Sequence, residues 1–307
     1  MSRAFFVVNP AAANGRVGKG WERILQAIRA EYSTSVEFGL TAAPGDATLL
    51  ARAALKDGHD VVVSVGGDGT LNEVVNGFFE GDRPVSTKAS LGVLSLGTGS
   101  DFVKTLGIPR NLHSYLATLK GGRPKVIDVV RSRIRSLDGA EITRYLINVG
   151  EVGSGGAVVD KVNHTTKAFG GRVSFLWGIF TTLPTYENKE VTYSVDGEVE
   201  KTELLNDFII ANGRYFGGGL KPAPGASLDD GLLDIVTMGD FRFREVLFNI
   251  RKLMEGTHLS NRKVKLVRGR KVTVRCSEKV LVEEDGEIVG VLPADFEIIP
   301  GAISLIC

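Results

Sequence analysis

D-V-V-V-S-V-G-G-D-G-T-L-N-E-V-V-N-G-F-F, residues 60–79, is the stretch around which the rest of the chain is organised. The β-branched run at 61–65 predicts a buried strand, and 71–79 carries apolar residues at helical spacing. Between them lies G-G-D-G-T. A strand that stops on glycines and restarts as a helix leaves bare backbone N–H groups at the positive end of a helix dipole, a setting that suits a phosphate. An acidic side chain beside phosphates would repel them, so Asp68 implies a divalent cation between the two. The alternative is a tight connection in which the glycines supply positive φ and Asp68 caps the helix. Three glycines in four positions exceed what a cap requires, and the competing phosphate loop G-x-x-x-x-G-K-[ST] is absent.

Working outward, residues 4–8 predict a strand ending in Asn9-Pro10, then a loop A-A-A-N-G-R and a helix with Trp21, Ile24, Leu25 and Ile28 on one face. A second strand follows at 36–40, a second helix at 45–56, and a fourth strand at 91–95 that ends in L-G-T-G-S-D-F. Such alternation predicts an α/β domain, a parallel sheet flanked by helices, with ligands met at the carboxyl ends of its strands. From about residue 125 the texture becomes mainly β, with predicted strands at 125–130, 144–149, 190–195, 208–211, 233–238, 264–267, 272–276, 280–283 and 296–299. Helical segments at 173–183 and 243–254 interrupt them. The spacing suits a β sandwich. The expected domains are 1–126, with 300–307 as a candidate return to it, and 127–299, and the cleft between them is the default active site.

Length and composition agree with two globular domains: 307 residues, with 37 Lys and Arg against 36 Asp and Glu. That balance leaves no global basic field and argues against nucleic acid as a partner. Cys276 and Cys307, the two cysteines, make no disulfide framework, so a reducing cytoplasm is expected. The N-terminus lacks a signal peptide's apolar core and reads as the mature start. The longest apolar run, 173–183, is about half of the ~20 residues that span a bilayer, so no transmembrane segment is expected.

Other segments carry weaker signals. D-D-G-L-L-D at 229–234 reads equally as a turn entering a strand. D-G-E occurs twice, at 196–198 and 285–287, and Asp-Gly between strands is already a hairpin signal. Lys161, Lys167 and Arg172 precede V-S-F-L-W-G-I-F, whose Trp177 and phenylalanines are candidates for lipid contact, although a core helix with a solvated basic approach is the simpler reading. The histidines, 59, 113, 164 and 258, show no ligand spacing. The loop at 216–219 is either a simple bend or a close backbone approach at the cleft.

Taken together, N-P-x-x-x-x-G-R at 9–16, G-G-D-G-T-L-N-E at 66–73, L-G-T-G-S-D-F at 96–102, D-D-G-L-L-D and the second D-G-E resemble the diacylglycerol kinase catalytic-domain superfamily, and most closely its soluble bacterial lipid kinases. The G-G-D-G-T turn alone is shared with NAD kinases and phosphofructokinases, whose fold the first domain should then share. The resemblance implies an ATP- and Mg²⁺-dependent lipid kinase acting on the hydroxyl of diacylglycerol or a related lipid. A water-soluble substrate, as in an NAD-kinase-like enzyme, and a non-catalytic ATP-binding regulator are the rival readings.

Carried over by that resemblance, Asn9, Thr41, Gly66, Gly67, Asp68, Gly69, Thr70, Asn72 and Thr98 line the nucleotide site, with Asp68 and Asp101 supporting magnesium. Asp230, with the carbonyls of Ser227 and Leu232, is implied to hold a structural Mg²⁺. Only the D-G-E at 285–287 precedes a segment like L-P-A-D-F-E-I-I-P-G-A, so Glu287 is implied to accept the proton of the attacking hydroxyl and Asp285 to orient or assist it. Ser100 stands where the family usually has Asn, and Ala12 and Ala13 where serine and glycine are common. The partner implied is a lipid substrate at a membrane surface, met by transient peripheral association from the cytoplasm; a homodimer stays open.

Overall fold

Ala4–Val8 (β1) opens the chain as an apolar strand, in a computed structural model that describes residues 3–32, 36–164 and 171–307. Two compact units follow: Met1–Ile127 with Gly301–Cys307, and Asp128–Pro300.

In the first unit β1 leads to Arg16–Lys19 (α1) and Trp21–Glu31 (α2), whose inner face buries Trp21, Leu25 and Ile28. Glu37–Leu40 (β2), Asp46–Lys56 (α3), Val61–Gly66 (β3) and Asp68–Gly77 (α4) come next. Phe79–Glu80 (β4) and Arg83–Pro84 (β5) form a short hairpin before Ser90–Ser95 (β6). The helices Asp101–Leu106 (α5) and Leu112–Gly121 (α6) were not expected from the sequence, since α5 is short and α6 alternates polar residues through its apolar face. β2, β1, β3 and β6 lie side by side in that order, all parallel, and Ser304 and Leu305 add a last parallel strand beside Ser90 and Leu91. β3 and β6 are buried along their whole length, which is why they read as mainly apolar runs.

In the second unit the strands are Pro124–Arg135 (β7), Glu141–Leu146 (β8) and Val149–Gly153 (β9), then the helices Ser154–His164 (α7) and Gly171–Thr182 (α8). Lys189–Val195 (β10), Lys201–Leu205 (β11), Asp207–Ala211 (β12) and Leu233–Met238 (β13) precede Phe243–Glu255 (α9). Val264–Gly269 (β14), Lys271–Cys276 (β15), Leu281–Glu284 (β16) and Glu287–Ile306 (β17) complete it. Pairing is antiparallel, in the order β14, β13, β12, β9, β16, β17, with β15, β10 and β11 continuing from β17 and β7 and β8 beside it. Inward-facing residues of both layers, among them Tyr193, Phe208, Val274 and Phe296, share one core, so the unit is a β sandwich.

Three expectations need correction. The single strand predicted at 144–149 is two, β8 and β9, split at Ile147-Asn148 where the amides turn to a buried carboxylate described below. The strand at 296–299 is part of the 20-residue β17, whose proline and glycine suggested breaks that its pairing overrides. The helix α7 was missed because G-S-G-G reads as a loop; its glycines answer to close packing, Gly155 against Glu151 and Gly156 against Leu281.

Candidate active site

The loops after β1, β3 and β6 meet at the carboxyl ends of their strands. Asn9 N–H donates to the Val65 carbonyl at 2.9 Å, Thr41 N–H to Val8 at 2.9 Å, and the N–H groups of Leu96 and Gly97 both donate to Gly66, at 2.8 and 2.9 Å. Asn9 Oδ1 accepts from Ala11 N–H at 3.0 Å while its Nδ2 donates to Thr70 Oγ1 at 3.0 Å. Two glycines are dictated by contact. A Cβ on Gly66 would stand 2.4 Å from Thr70 Oγ1, and one on Gly97 would stand 2.5 Å from the Gly67 Cα. The structure thus gathers Asn9, Thr41, Gly66, Gly67, Gly69, Thr70 and Thr98 at one end of the sheet. Asn72 is buried inside α4, where its Oδ1 accepts from Asn76 Nδ2 at 3.2 Å. Arg110, which sequence reasoning missed, holds the third loop by donating to the Thr98 carbonyl at 3.2 Å.

Asp68, the first residue of α4, reaches across to α5: Oδ1 accepts from Asp101 N–H at 3.0 Å and from Phe102 N–H at 3.2 Å. The α5 cap position, Ser100, makes no side-chain cap bond, so Asp68 satisfies that helix start in its place. Ser100 sits at φ 53°, in the left-handed region where Asn is the favoured non-glycine residue, which gives the family's Asn a backbone reason. Ser100 Oγ donates instead to the Gly97 carbonyl at 3.2 Å. Ala13 likewise adopts φ 53° where glycine is common in the family.

Asp101 is buried, and its Oδ1 accepts from Lys104 Nζ at 2.6 Å. Gly99 keeps open a point that both acids face: a Cβ there would lie 2.9 Å from Asp68 Oδ2 and 3.6 Å from Asp101 Oδ2. Hard cations take such oxygen sets, and a carboxylate keeps lone pairs beyond those met by two N–H donors. The residues fit a magnesium ion.

In the second unit the two D-G-E tripeptides form the same turn, with φ 50° at Asp196 and at Asp285 and positive φ at Gly197 and Gly286. Their carboxylates do similar work. Asp196 Oδ1 accepts from the N–H groups of Arg270 and Lys271, both at 2.8 Å, on the surface. Asp285 is buried and accepts from Ile147 at 3.2 Å, Asn148 at 3.2 Å and Val149 at 3.0 Å, which is what splits β8 from β9. Its carboxylate therefore secures the hairpin to the β8–β9 turn. Glu287 begins β17 and is exposed.

Sequence reasoning also missed a buried acidic group beside this hairpin. Glu151 and Glu283 are cross-strand partners on β9 and β16. Asp207 caps α7 by accepting from Gly155 N–H at 3.2 Å and Ser154 Oγ at 3.3 Å. Neither oxygen of Glu151 meets an N–H or O–H donor; the carboxyls of Asp207 and Glu283 face it, so hydrogen bonding among the three requires a bound proton. Burial, followed by those neighbouring charges, raises Glu151 well above the carboxylate range. Burial also raises Glu283, and pushes Asp207 and Glu284 to about 7, the latter despite the Arg144 guanidinium 3.6 Å away. The run E-E-D-G-E was the available signal, and only the fold says that its first two acids point inward.

Asp230, implied to hold a structural metal, is engaged by protein groups. Asp230 Oδ1 accepts from Leu232 N–H at 3.1 Å, and its Oδ2 pairs with the Arg268 guanidinium, which also reaches Asp234 at 3.4 Å. The positive charge beside D-D-G-L-L-D is an arginine, Ser227 Oγ donates to Asp229 at 2.8 Å, and Gly231 N–H is held by Asp128 at 2.7 Å. The histidines need correction: Glu37, Asp57 and His59 bring ligand atoms within 4.8 Å of one another, which scattered sequence positions conceal. Arg3 pairs with both carboxylates there. Of the basic approach to α8, Lys161 is exposed, Lys167 lies outside the described residues, and so does the Arg172 side chain.

Comparison with known proteins agrees with the fold. Residues 3–132 match the diacylglycerol kinase catalytic domain, and residues 150–307 match the YegS C-terminal NAD kinase beta sandwich-like domain. A Bacillus subtilis diacylglycerol kinase is 30% identical over 96% of this chain and 93% of its own, and a Staphylococcus carnosus diacylglycerol kinase is 28% identical over 96% and 91%. Two solved Bacillus anthracis structures share the fold, with TM-scores of 0.79 and 0.71 at 24% and 20% identity; each match covers 99% of this chain, with 95% and 96% of theirs. A diacylglycerol kinase catalytic domain followed in sequence by this β sandwich-like domain marks a kinase. The chain belongs to the diacylglycerol kinase catalytic-domain family and is a lipid kinase. Among the described residues no helix is long and apolar enough to cross a membrane.

Proposed function

We propose that this kinase is ATP- and Mg²⁺-dependent and phosphorylates the hydroxyl of diacylglycerol or a closely related lipid. The observation that carries the reading is the glycine-floored turn at 66–70, with Asp68 Oδ2 and Asp101 Oδ2 turned toward the point that Gly99 leaves open. The names of the B. subtilis and S. carnosus relatives support the substrate class.

In this reading the N–H groups of Gly67, Asp68, Gly69 and Thr70 at the start of α4 receive the triphosphate. Asn9 fixes the Thr70 hydroxyl, while Thr41 and Thr98 line the nucleotide and Asn72 stiffens α4 behind it. Asp68 and Asp101 hold Mg²⁺, which when bound neutralises charge developing on the phosphoryl oxygens. Glu287, exposed and acceptor-only when ionised, takes the proton of the lipid hydroxyl. Asp285 positions it by securing the hairpin on which it stands.

Purified protein with Mg²⁺ and radiolabelled ATP should label diacylglycerol in vesicles or detergent, within a panel of monoacylglycerol, sphingoid, polyprenol and phosphatidylglycerol substrates. Labelling of none of them, or transfer only to soluble nucleotides, overturns the reading. Glu287→Gln should lower turnover by roughly 10²–10⁴-fold, the usual range for a general base, with ATP binding retained. Glu198→Gln should leave turnover unchanged, and the reverse pattern would assign the role to the other D-G-E.

A further inference from the structure

Helix α9 presents two unlike faces. Phe243, Val246 and Ile250 pack inward against Val158, Ile179 and Leu183 of the α7–α8 pair. On the outer side Arg244, Phe248 and Lys252 follow at a spacing of four, one above the other along the helix. All three are exposed, and Phe248 is 83% exposed, more than any large apolar residue except Val199 among those described. On α8, Phe180, 53% exposed, meets the inward-packed Phe243 ring edge-on at 6.3 Å, and Trp177 is 44% exposed.

The charges around Phe248 are one-sided. Four basic residues, Arg242, Arg244, Arg251 and Lys252, stand on the segment against Glu245 and Glu255. Glu245 is neutralised by Lys263 at 2.7 Å, and Glu255 by Arg251 at 2.8 Å. That leaves Arg242, Arg244 and Lys252, and the last two bracket an aromatic ring that the fold does not cover.

We propose that this outer face of α9 docks the protein on an anionic lipid bilayer, with Phe248 entering the interface and Arg244 and Lys252 meeting lipid phosphates. The inference rests on the lipid-kinase reading for its purpose, though not for its physics. A ring flanked by long cationic side chains matches an interface in which apolar chains lie beneath anionic headgroups. Charge complementarity selects the occupant: a second copy of the chain paired through the same face would set Arg244 and Lys252 against their like, whereas an anionic bilayer opposes them with negative charge. Each cation near such a surface strengthens binding by about fivefold, and salt screens the effect.

The test is co-sedimentation of the full chain with vesicles of phosphatidylcholine alone or mixed with phosphatidylglycerol. The wild type should bind the anionic vesicles and release as salt is raised. Arg244→Gln with Lys252→Gln should weaken binding by roughly 20-fold, and Phe248→Ser by roughly 10-fold at every salt concentration. Each variant should keep wild-type phosphate transfer to a monomeric short-chain diacylglycerol, which needs no surface. Unchanged sedimentation of the variants, equal binding to neutral vesicles, or loss of a dimer in place of vesicle binding overturns the proposal. If the variants lose vesicle binding while the wild type phosphorylates no lipid, the docking face stands and the kinase reading fails.

Discussion

At the scale of single residues, the glycines of the loops after β3 and β6 do different jobs that one-letter patterns merge. Gly97 is required by contact, since a Cβ would meet the Gly67 Cα at 2.5 Å, backbone against backbone. Gly97→Ala should therefore cost about 1–3 kcal/mol of stability and also remove phosphate transfer. Gly67 has an ordinary φ of −98°, and its nearest neighbour to an added Cβ is 3.7 Å away. Gly67→Ala should keep wild-type stability yet lose phosphate transfer, because the methyl stands where the phosphates approach. Urea unfolding beside a turnover assay separates the two.

At the scale of elements, α4 organises its neighbours through its acids. Asp68 caps α5, and Glu73 caps α3, its Oε1 accepting from Gly45 N–H at 2.9 Å and its Oε2 from Ala47 N–H at 3.1 Å. The α3 cap position, Gly45, has no side chain to offer. Part of G-G-D-G-T-L-N-E is thus explained by helix ends that lack caps of their own. Glu73→Ala should lower stability by about 1 kcal/mol, as lost caps do, with turnover retained at temperatures well below unfolding; a large loss of turnover in a fully folded variant would point to a direct role instead.

At the scale of the whole molecule, the buried carboxyls set the pH response. Asp207 and Glu284 titrate near 7 in the fold, while in an unfolded chain they titrate near 4. The folded state therefore holds protons that the unfolded state has released, and through these two groups stability falls as pH rises from about 4 to about 7. Glu151 and Glu283, also raised, act in the same direction. His258, lowered by burial, acts oppositely as pH drops. Tm should be higher at pH 5 than at pH 8. Glu151→Gln, whose amide can donate to Asp207 or Glu283, should flatten that dependence and raise Tm at pH 8.

By itself the sequence determined the parallel α/β unit, because β3 and β6 are buried along their whole length and mainly apolar runs serve such strands. It also determined the glycine turn at 66–70, since glycine spacing records where backbones must approach closely. Only the tertiary structure decided what the acids do. Asp285 secures three amides from residues 147–149, Glu151 and Glu283 share a buried site, and Asp230 answers to Arg268. A carboxylate looks the same in sequence whether it caps a helix, holds a proton or faces solvent; its partners come from strands and loops far away in the chain, and register alone brings them within hydrogen-bonding distance.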